Sequence, residues 1–470
     1  MTGRLSVRSA ERRFVLLTAL RWLPVGFVVP VTVLLAASRG LSPVEIGLAF
    51  STHGLVVVLL ELPTGGLADA LGRRPVLLLS GALALTGLLL LALAQDGWGF
   101  AVAYAVVGAG RALDSGPLEA WFVDAVHEAD PRADTTRGLA RGGVADGAAL
   151  AVGALAGGVL PLLLGQSLVA PFVAAAACTA LSLVAVTLLV VPVGPVRTSS
   201  GPWDALRRGV ADVPRVVTTA LRLAARERTL RLLVLLALGT GPVLVSIELL
   251  APLRFAELVG GEARGGQAYS VVVTLGFGAA ALGSALALQA RRAARGSART
   301  ATAALMVLAA GGLALMAVDG SVVVLAAGAL VFYLCNGACW PLRKQLLHAR
   351  VDPAHRATMV SASSLALQLG GIVGNQVQPR VYETFGPASA FGLAALVLLG
   401  LAGLSLRLTD LPSGDEEPLD DQVLHDGQHL LGGLGVGESG AAGQDGEQVT
   451  EAAGPVAAGE QGGAVRVDPA

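Results

Sequence analysis

Residues 61–75 read Glu61-Leu62-Pro63-Thr64-Gly65-Gly66-Leu67-Ala68-Asp69-Ala70-Leu71-Gly72-Arg73-Arg74-Pro75 and join two apolar runs, 44–64 and 76–94. Each run matches the roughly 20 apolar residues that cross a bilayer core. The joining stretch has the makings of a turn. Gly65, Gly66 and Gly72 permit sharp reversal and close helix approach. Asp69, Arg73 and Arg74 supply charges that can pair differently in two states.

Working outward, apolar runs bounded by charges or turn residues predict further helices near 14–37, 99–123, 142–164 and 168–192, which completes six. Six more are predicted near 230–252, 268–290, 299–318, 321–342, 358–379 and 387–406. The 470 residues are 54% hydrophobic and only 14% charged, with a mean hydropathy of +0.69, which is too apolar for a water-soluble chain of this size. The predicted fold class is therefore an all-α membrane protein of 12 transmembrane helices in two pseudo-symmetric six-helix bundles. Its expected divisions are an N-terminal bundle over 1–192, a basic linker over 193–229, a C-terminal bundle over 230–407 and a disordered acidic tail over 408–470.

Arginine placement sets the expected orientation. With an inside N-terminus, the inner loops hold Arg73, Arg74, Arg132, Arg137, Arg141, Arg291, Arg292, Arg295, Arg299, Arg343, Lys344, Arg350 and Arg356. The outer loops hold only Arg39, Arg254, Arg264 and Arg380. This positive-inside bias places both termini in the cytoplasm of a cell whose inner (plasma) membrane the chain crosses many times. Arg4, Arg8, Arg12 and Arg13 precede the first run with no small-residue cleavage site after it, so it is expected to be retained. In the linker, Trp203, Leu206, Val210, Val213, Val217 and Leu221 recur among arginines, which predicts an amphipathic helix on the membrane surface. The tail carries twelve carboxylates from Asp415 onward against Arg466 alone, with few large apolar residues to offset its ordering entropy.

Several function classes drop out. Aromatics are 4% of the chain and do not interleave with the basic residues, so no nucleic-acid partner is expected. Cys178, Cys335 and Cys339 lie in apolar runs without metal-ligand or disulfide spacing, so neither metal nor cofactor is expected. No phosphate-cradling loop and no nucleophile elbow appears, which argues against an ATPase or any enzyme.

Helix 4 carries Gly108-Ala109-Gly110-Arg111-Ala112-Leu113-Asp114-Ser115-Gly116-Pro117-Leu118-Glu119, with Arg111 and Asp114 near mid-membrane and one turn apart, where they can form an ion pair. A charge at that depth costs at least about 2.5 kcal/mol and normally turns inward, paired or functional. Pro117 removes a backbone bond and predicts a kink there. Helix 5 offers Gly142, Gly143, Gly147, Gly153, Gly157 and Gly158, a small-residue face for close packing. Arg21, His53, Glu248, Gln368 and Asn375 are the further intramembrane polar residues expected to line a substrate cavity; Glu61 and Asp146 also lie in apolar runs. A half-to-half echo supports two related bundles: Gly116-Pro117-Leu118-Glu119 with Ala129-Asp130-Pro131, and Trp340-Pro341-Leu342-Arg343 with Val351-Asp352-Pro353.

The loop around Asp69 resembles the signature cytoplasmic loop of the major facilitator superfamily, and helix 4 resembles an arginine motif of its proton-coupled members. The resemblance to bacterial drug:proton antiporter-like exporters implies a secondary transporter that moves a small-molecule substrate by alternating access, with protons as coupling ion. It implies a cytoplasmic gate at Gly65, Asp69, Gly72, Arg73 and Arg74, and proton coupling at Arg111, Asp114 and Glu119. In the family the aspartate matching Asp69 braces the cytoplasmic side when the cavity faces outward. Ala70 stands where a basic residue is usual, Asp114 where glutamine is usual, and the helix 5 glycines lack the family's Gly-Pro pair. In the second half, Gly283 to Arg292 is expected to form the equivalent loop, with Ala287 in the aspartate's place. An importer or uniporter of the same fold, or a non-transporting membrane accessory protein, are the alternative readings.

Overall fold

A computed structural model describes residues 5–64, 67–114, 116–192, 201–318, 320–352 and 355–410. It is all helix. The N-terminal half runs α1 (Val7–Val28), α2 (Thr32–Ser38), α3 (Pro43–Thr64), α4 (Leu67–Leu71), α5 (Arg73–Leu93), α6 (Gly97–Leu113), α7 (Pro117–Ala129), α8 (Thr136–Leu163) and α9 (Ala170–Leu189). After α10 (Pro202–Arg226), the second half runs α11 (Arg228–Val245), α12 (Ala251–Val259), α13 (Glu262–Ala293), α14 (Ala298–Met316), α15 (Val322–His348), α16 (Arg356–Phe385) and α17 (Pro387–Ser405).

The helix starts follow local chemistry. Ser6, Asp96, Ser297 and Ser321 cap α1, α6, α14 and α15 by accepting a first-turn N–H. Proline opens α3 and α17, where its missing N–H is no loss. Before α8, Asp134 accepts from the N–H and hydroxyl of Thr136, which hold its carboxyl below the usual carboxylate range.

Ten helical stretches among the described residues are long and apolar enough to cross a membrane. Two predicted spans fall outside that criterion for identifiable reasons. Helix 4 is broken into α6 and α7, each too short alone, and α16 carries enough polar side chains to lower its hydropathy. Both nevertheless pack within the bundle, α6 against α3 and α5, and α16 against α11 and α3.

Two expectations need correction. The stretch 283–292 is no loop: α13 continues to Ala293, and the turn falls at 294–297, where Arg295 and Gly296 have positive φ. A side chain at Gly283 would meet the Leu334 backbone, so this glycine serves packing of α13 on α15. Arg343 and Lys344 also lie inside a helix, because α15 passes through Pro341 and runs on to His348. Arg343 is buried, donates to the Thr240 hydroxyl at 3.1 Å and lies 4.7 Å from the Trp340 ring centroid.

We call the end where α1 begins the near end, and the opposite one the far end. The halves meet chiefly through α8 with α13 and α3 with α16. Side-chain hydrogen bonds join them toward the far end: Val44 N–H to Glu383 at 2.9 Å, Gln376 to the Ser51 hydroxyl at 2.7 Å, and Thr274 to the Ala151 carbonyl at 3.1 Å. Helix α10 crosses the near end against α3, α4, α11 and α16.

At the far end the Arg39 guanidinium donates to the carbonyls of Leu91 (3.1 Å), Ala92 (2.6 Å) and Ala94, which terminate α5. A cation here satisfies orphan carbonyls and complements the helix dipole. Arg39→Gln is expected to destabilise the protein by about 1–3 kcal/mol, read as a lowered thermal-unfolding midpoint in detergent.

Candidate functional site

Helix 4 breaks where its sequence changes character. Asp114 is the last residue to continue α6, its N–H reaching the carbonyls of Gly110 and Arg111. Gly116 then takes a left-handed conformation with φ +85°, and Pro117 opens α7 at its first position. The expected kink is thus a full break, since glycine before proline lets the chain reverse its local twist. At the matching place in α15, Trp340 precedes Pro341 and the helix stays continuous.

The break changes the partner of Asp114. Instead of pairing with Arg111 one turn away, the Asp114 carboxylate takes the Arg21 Nε of α1 at 2.5 Å, while Arg21 Nη2 donates to the Asp114 backbone carbonyl at 3.1 Å. Arg111 is buried close by, 8% exposed. Arg21, His53, Arg111 and Asp114 all line one cavity of about 160 Å³ inside the N-terminal half, walled by α1, α3, α5, α6 and α9. Its surface is mainly aliphatic, with Tyr104, Ser80, Thr179 and Trp22 as further polar edges. His53 is fully buried, its ring 6.5 Å from that of Tyr104. A pocket with an apolar wall and a few convergent charges suits a small amphipathic molecule.

Of the residues expected to form a gate, the described ones sit at the near end. Gly65 and the side chain of Asp69 lie outside the described residues. Gly72 has φ +87° and initiates α5. Arg73 forms an ion pair with Asp124 of α7 at 3.7 Å, and Arg74 donates to the Thr187 carbonyl at 2.6 Å. The loop is thereby tied to the lower half of the broken helix.

The superfamily described as Major Facilitator Superfamily matches residues 14–375. The chain belongs to the Major Facilitator Superfamily. Its members are membrane transporters and not enzymes. A curated relative, "Inner membrane transport protein YajR" of Escherichia coli (strain K12), is 30% identical over 176 residues, 37% of this chain and 37% of the relative. Among solved structures, the nucleoside transporter NupG shares 15% identity at a TM-score of 0.64, covering 85% of this chain and 97% of that one. A POT family transporter in complex with 5-aminolevulinic acid shares 16% at 0.61, covering 84% and 94%. The human organic anion transporter MFSD10 shares 20% at 0.55, covering 84% and 99%. At these identities the structural likeness speaks to fold alone.

In this superfamily member the remaining candidates lie apart from the charged cavity. Glu119 is in the first turn of α7 and does not line it. Gln368 and Asn375 are half-buried on α16, where the Asn375 carbonyl lies against Gly47 of α3 at the contact between halves. Asp146 is fully buried in α8.

Glu248 sits in a one-turn π-helix, Ser246–Leu250, between α11 and α12. The Ala251 N–H reaches back five residues to Ser246, and in that register Pro252 would serve Ile247 but has no N–H. The Tyr269 hydroxyl of α13 fills the vacancy, donating to the Ile247 carbonyl at 2.7 Å. Tyr269→Phe is expected to lower stability by about 1–3 kcal/mol, the range for a buried group left without its partner, measured by thermal unfolding. Tyr104 and Tyr269 escaped the sequence reading because a lone tyrosine in an apolar run carries no periodic signal.

Proposed function

We propose that the chain is a proton-coupled secondary transporter that exports small amphipathic compounds by alternating access. The observation that carries this reading is the Arg21–Asp114 pair at the break in helix 4, beside buried Arg111 and facing a mostly apolar cavity. A carboxylate with two arginines in reach can trade one for the other, and its proton affinity then differs between the two arrangements. Protonation of Asp114 releases Arg21, freeing α1 to move against α6 as the halves rock.

In this reading the membrane is crossed twelve times, α6 with α7 forming one broken span and α16 another. The arginine bias puts the near end and both termini in the cytoplasm. The hydrogen bonds gathered at the far end then correspond to a cavity closed toward the outside. The domain limits proposed are 1–192, 193–229, 230–407 and 408–470, in a bacterial inner membrane.

Import or uniport of a nutrient is the second reading, favoured by what two structural neighbours carry or bind, a nucleoside transporter and a transporter complexed with 5-aminolevulinic acid. Inside-out vesicles containing the protein, given an imposed pH gradient and a panel of amphipathic dyes, separate the two. Export predicts dye accumulation that an uncoupler abolishes. Equilibration of nucleosides or amino acids across the vesicle membrane without a pH gradient, and no dye movement, points to the second reading.

A further inference from the structure

The cavity of the N-terminal half extends beyond the Arg21–Asp114 pair. Every residue that lines it lies between Leu17 and Val186, so an occupant is held by one half alone. Away from the charged pair its lining is aliphatic, with Val25 and Val28 of α1, Leu88 and Leu91 of α5, and Val107 of α6. Two polar side chains interrupt this wall, His53 of α3 and Tyr104 of α6.

Their hydrogen-bonding capacity is unspent. His53 is 0% exposed and Tyr104 4%, and neither imidazole nitrogen nor the phenol hydroxyl has a hydrogen-bond partner within the protein. The other polar edges differ. The hydroxyls of Thr32, Ser80 and Thr179 donate to the carbonyls of Val28 (2.6 Å), Leu77 (3.1 Å) and Ala175 (2.9 Å), about one turn back along the chain. Arg21 is taken by Asp114. Buried polar groups in folded proteins are nearly always paired, because removing water from them without replacement costs stability.

Packing fixes the place of both side chains. Phe50 lies against the Tyr104 ring with centroids 4.6 Å apart. A Cβ at Gly108 would lie 2.9 Å from the His53 carbonyl oxygen, so α3 and α6 meet backbone to backbone there. The two rings stand edge to face at 6.5 Å, within reach of one guest group. Such a group must both donate and accept, and the rest of the guest must be apolar. A hydroxyl does both, whereas a carboxylate only accepts and an ammonium only donates.

We infer that His53 and Tyr104 form a binding site for an uncharged amphiphile, an apolar body carrying one alcohol or phenol hydroxyl. The hydroxyl bonds to the two side chains and the body lies against Val25, Leu88 and Val107. Binding within one half needs no pH gradient and no movement of substrate, so the inference stands or falls separately from the transport reading.

The test is equilibrium dialysis of radiolabelled 2-naphthol, a phenol uncharged at neutral pH, against the full-length chain in phosphatidylcholine nanodiscs and against empty nanodiscs. Saturable binding of one molecule per chain is expected, with naphthalene and 2-naphthoate roughly three- to tenfold weaker as competitors. In His53→Leu/Tyr104→Phe the preference for naphthol over naphthalene is expected to vanish. Tyr104→Phe alone is expected to lose part of that preference, and without ligand to unfold at no lower temperature, since it removes a hydroxyl that has no protein partner. This single variant keeps the test open if the double one does not fold. Absence of saturable binding overturns the proposal, as does equal binding of naphthol and naphthalene by the wild type. A preference unchanged in Tyr104→Phe, or a lowered unfolding midpoint in that variant, overturns it too. Tighter binding of 2-naphthoate also overturns it, and assigns the cavity to anions.

Discussion

Asp114→Asn is expected to abolish accumulation driven by a pH gradient while substrate exchange continues. The amide cannot bind and release a proton, but it keeps an acceptor for the Arg21 Nε, which the carboxylate now meets at 2.5 Å. The Arg21 Nη2 bond to the backbone carbonyl of residue 114 survives the change. Both changes remove the counter-charge of Arg21, but Asp114→Leu also removes the side-chain acceptor of its partly buried guanidinium and is expected to fold less well; removing one partner of a buried pair costs about 3–5 kcal/mol. The check is paired: counterflow in proteoliposomes at equal pH, and uptake with an imposed gradient. Counterflow near the wild-type rate with gradient-driven uptake reduced at least about tenfold, the loss typical of removing a positioned proton carrier, is the expected outcome. Equal loss of both would mean that Asp114 serves structure or substrate binding.

The second large effect separates two glycines of one helix. A Cβ at Gly153 would lie 2.6 Å from the Leu23 carbonyl oxygen and 2.9 Å from the Gly26 Cα, inside the N-terminal half. A Cβ at Gly158 would run into Ser270 and lie 2.9 Å from the Gly266 carbonyl, across the contact between halves. The first contact opposes backbone, the second the Ser270 Cβ and the Gly266 carbonyl, whose positions a rotamer change does not move. Gly153→Val is expected to prevent α1 and α8 from packing, with loss of most folded protein; overpacking costs typically about 1–3 kcal/mol, and more against backbone. Gly158→Val acts on a contact that alternating access must break in any case. It should leave the halves folded and shift the population toward the far-end-open state. Size-exclusion profiles read the first, and accessibility of a cysteine at Ser51 to a membrane-impermeant reagent reads the second. Monodisperse Gly153→Val protein, or unchanged accessibility in Gly158→Val, would contradict this division of labour.

Periodicity and punctuation made much of the helical framework legible. The predicted run 44–64 matches α3 at Pro43–Thr64, and 387–406 matches α17 at Pro387–Ser405, because proline and charged residues mark those ends. The amphipathic spacing after Val193 marked α10, and the hydrophobic pattern could not have shown which of its faces docks. What failed was pairing at long range. Arg111 and Asp114 are neighbours in sequence, but a broken helix lets Asp114 choose Arg21, ninety-three residues away. By sequence Arg343 reads as a loop cation because charge ends an apolar run; Thr240 and Trp340 hold it inside instead. Gly283 to Arg292 looked like a second gate loop by repeat, whereas α13 stays helical through it.

The site was legible as a set of costly intramembrane residues, though not as a location. Arg21, His53, Arg111 and Asp114 share one cavity, while Glu248 belongs to a π turn whose missing backbone donor is supplied by Tyr269. Only three-dimensional packing could separate the two groups.

The most direct test of proton-coupled transport is substrate-triggered proton movement in liposomes loaded with a pH-sensitive dye and carrying the purified protein, challenged with cationic, anionic and neutral amphipathic compounds. Proton movement is expected for at least one compound class and is expected to be absent in Asp114→Asn. Transport of a compound by wild-type protein with no accompanying proton movement would contradict it.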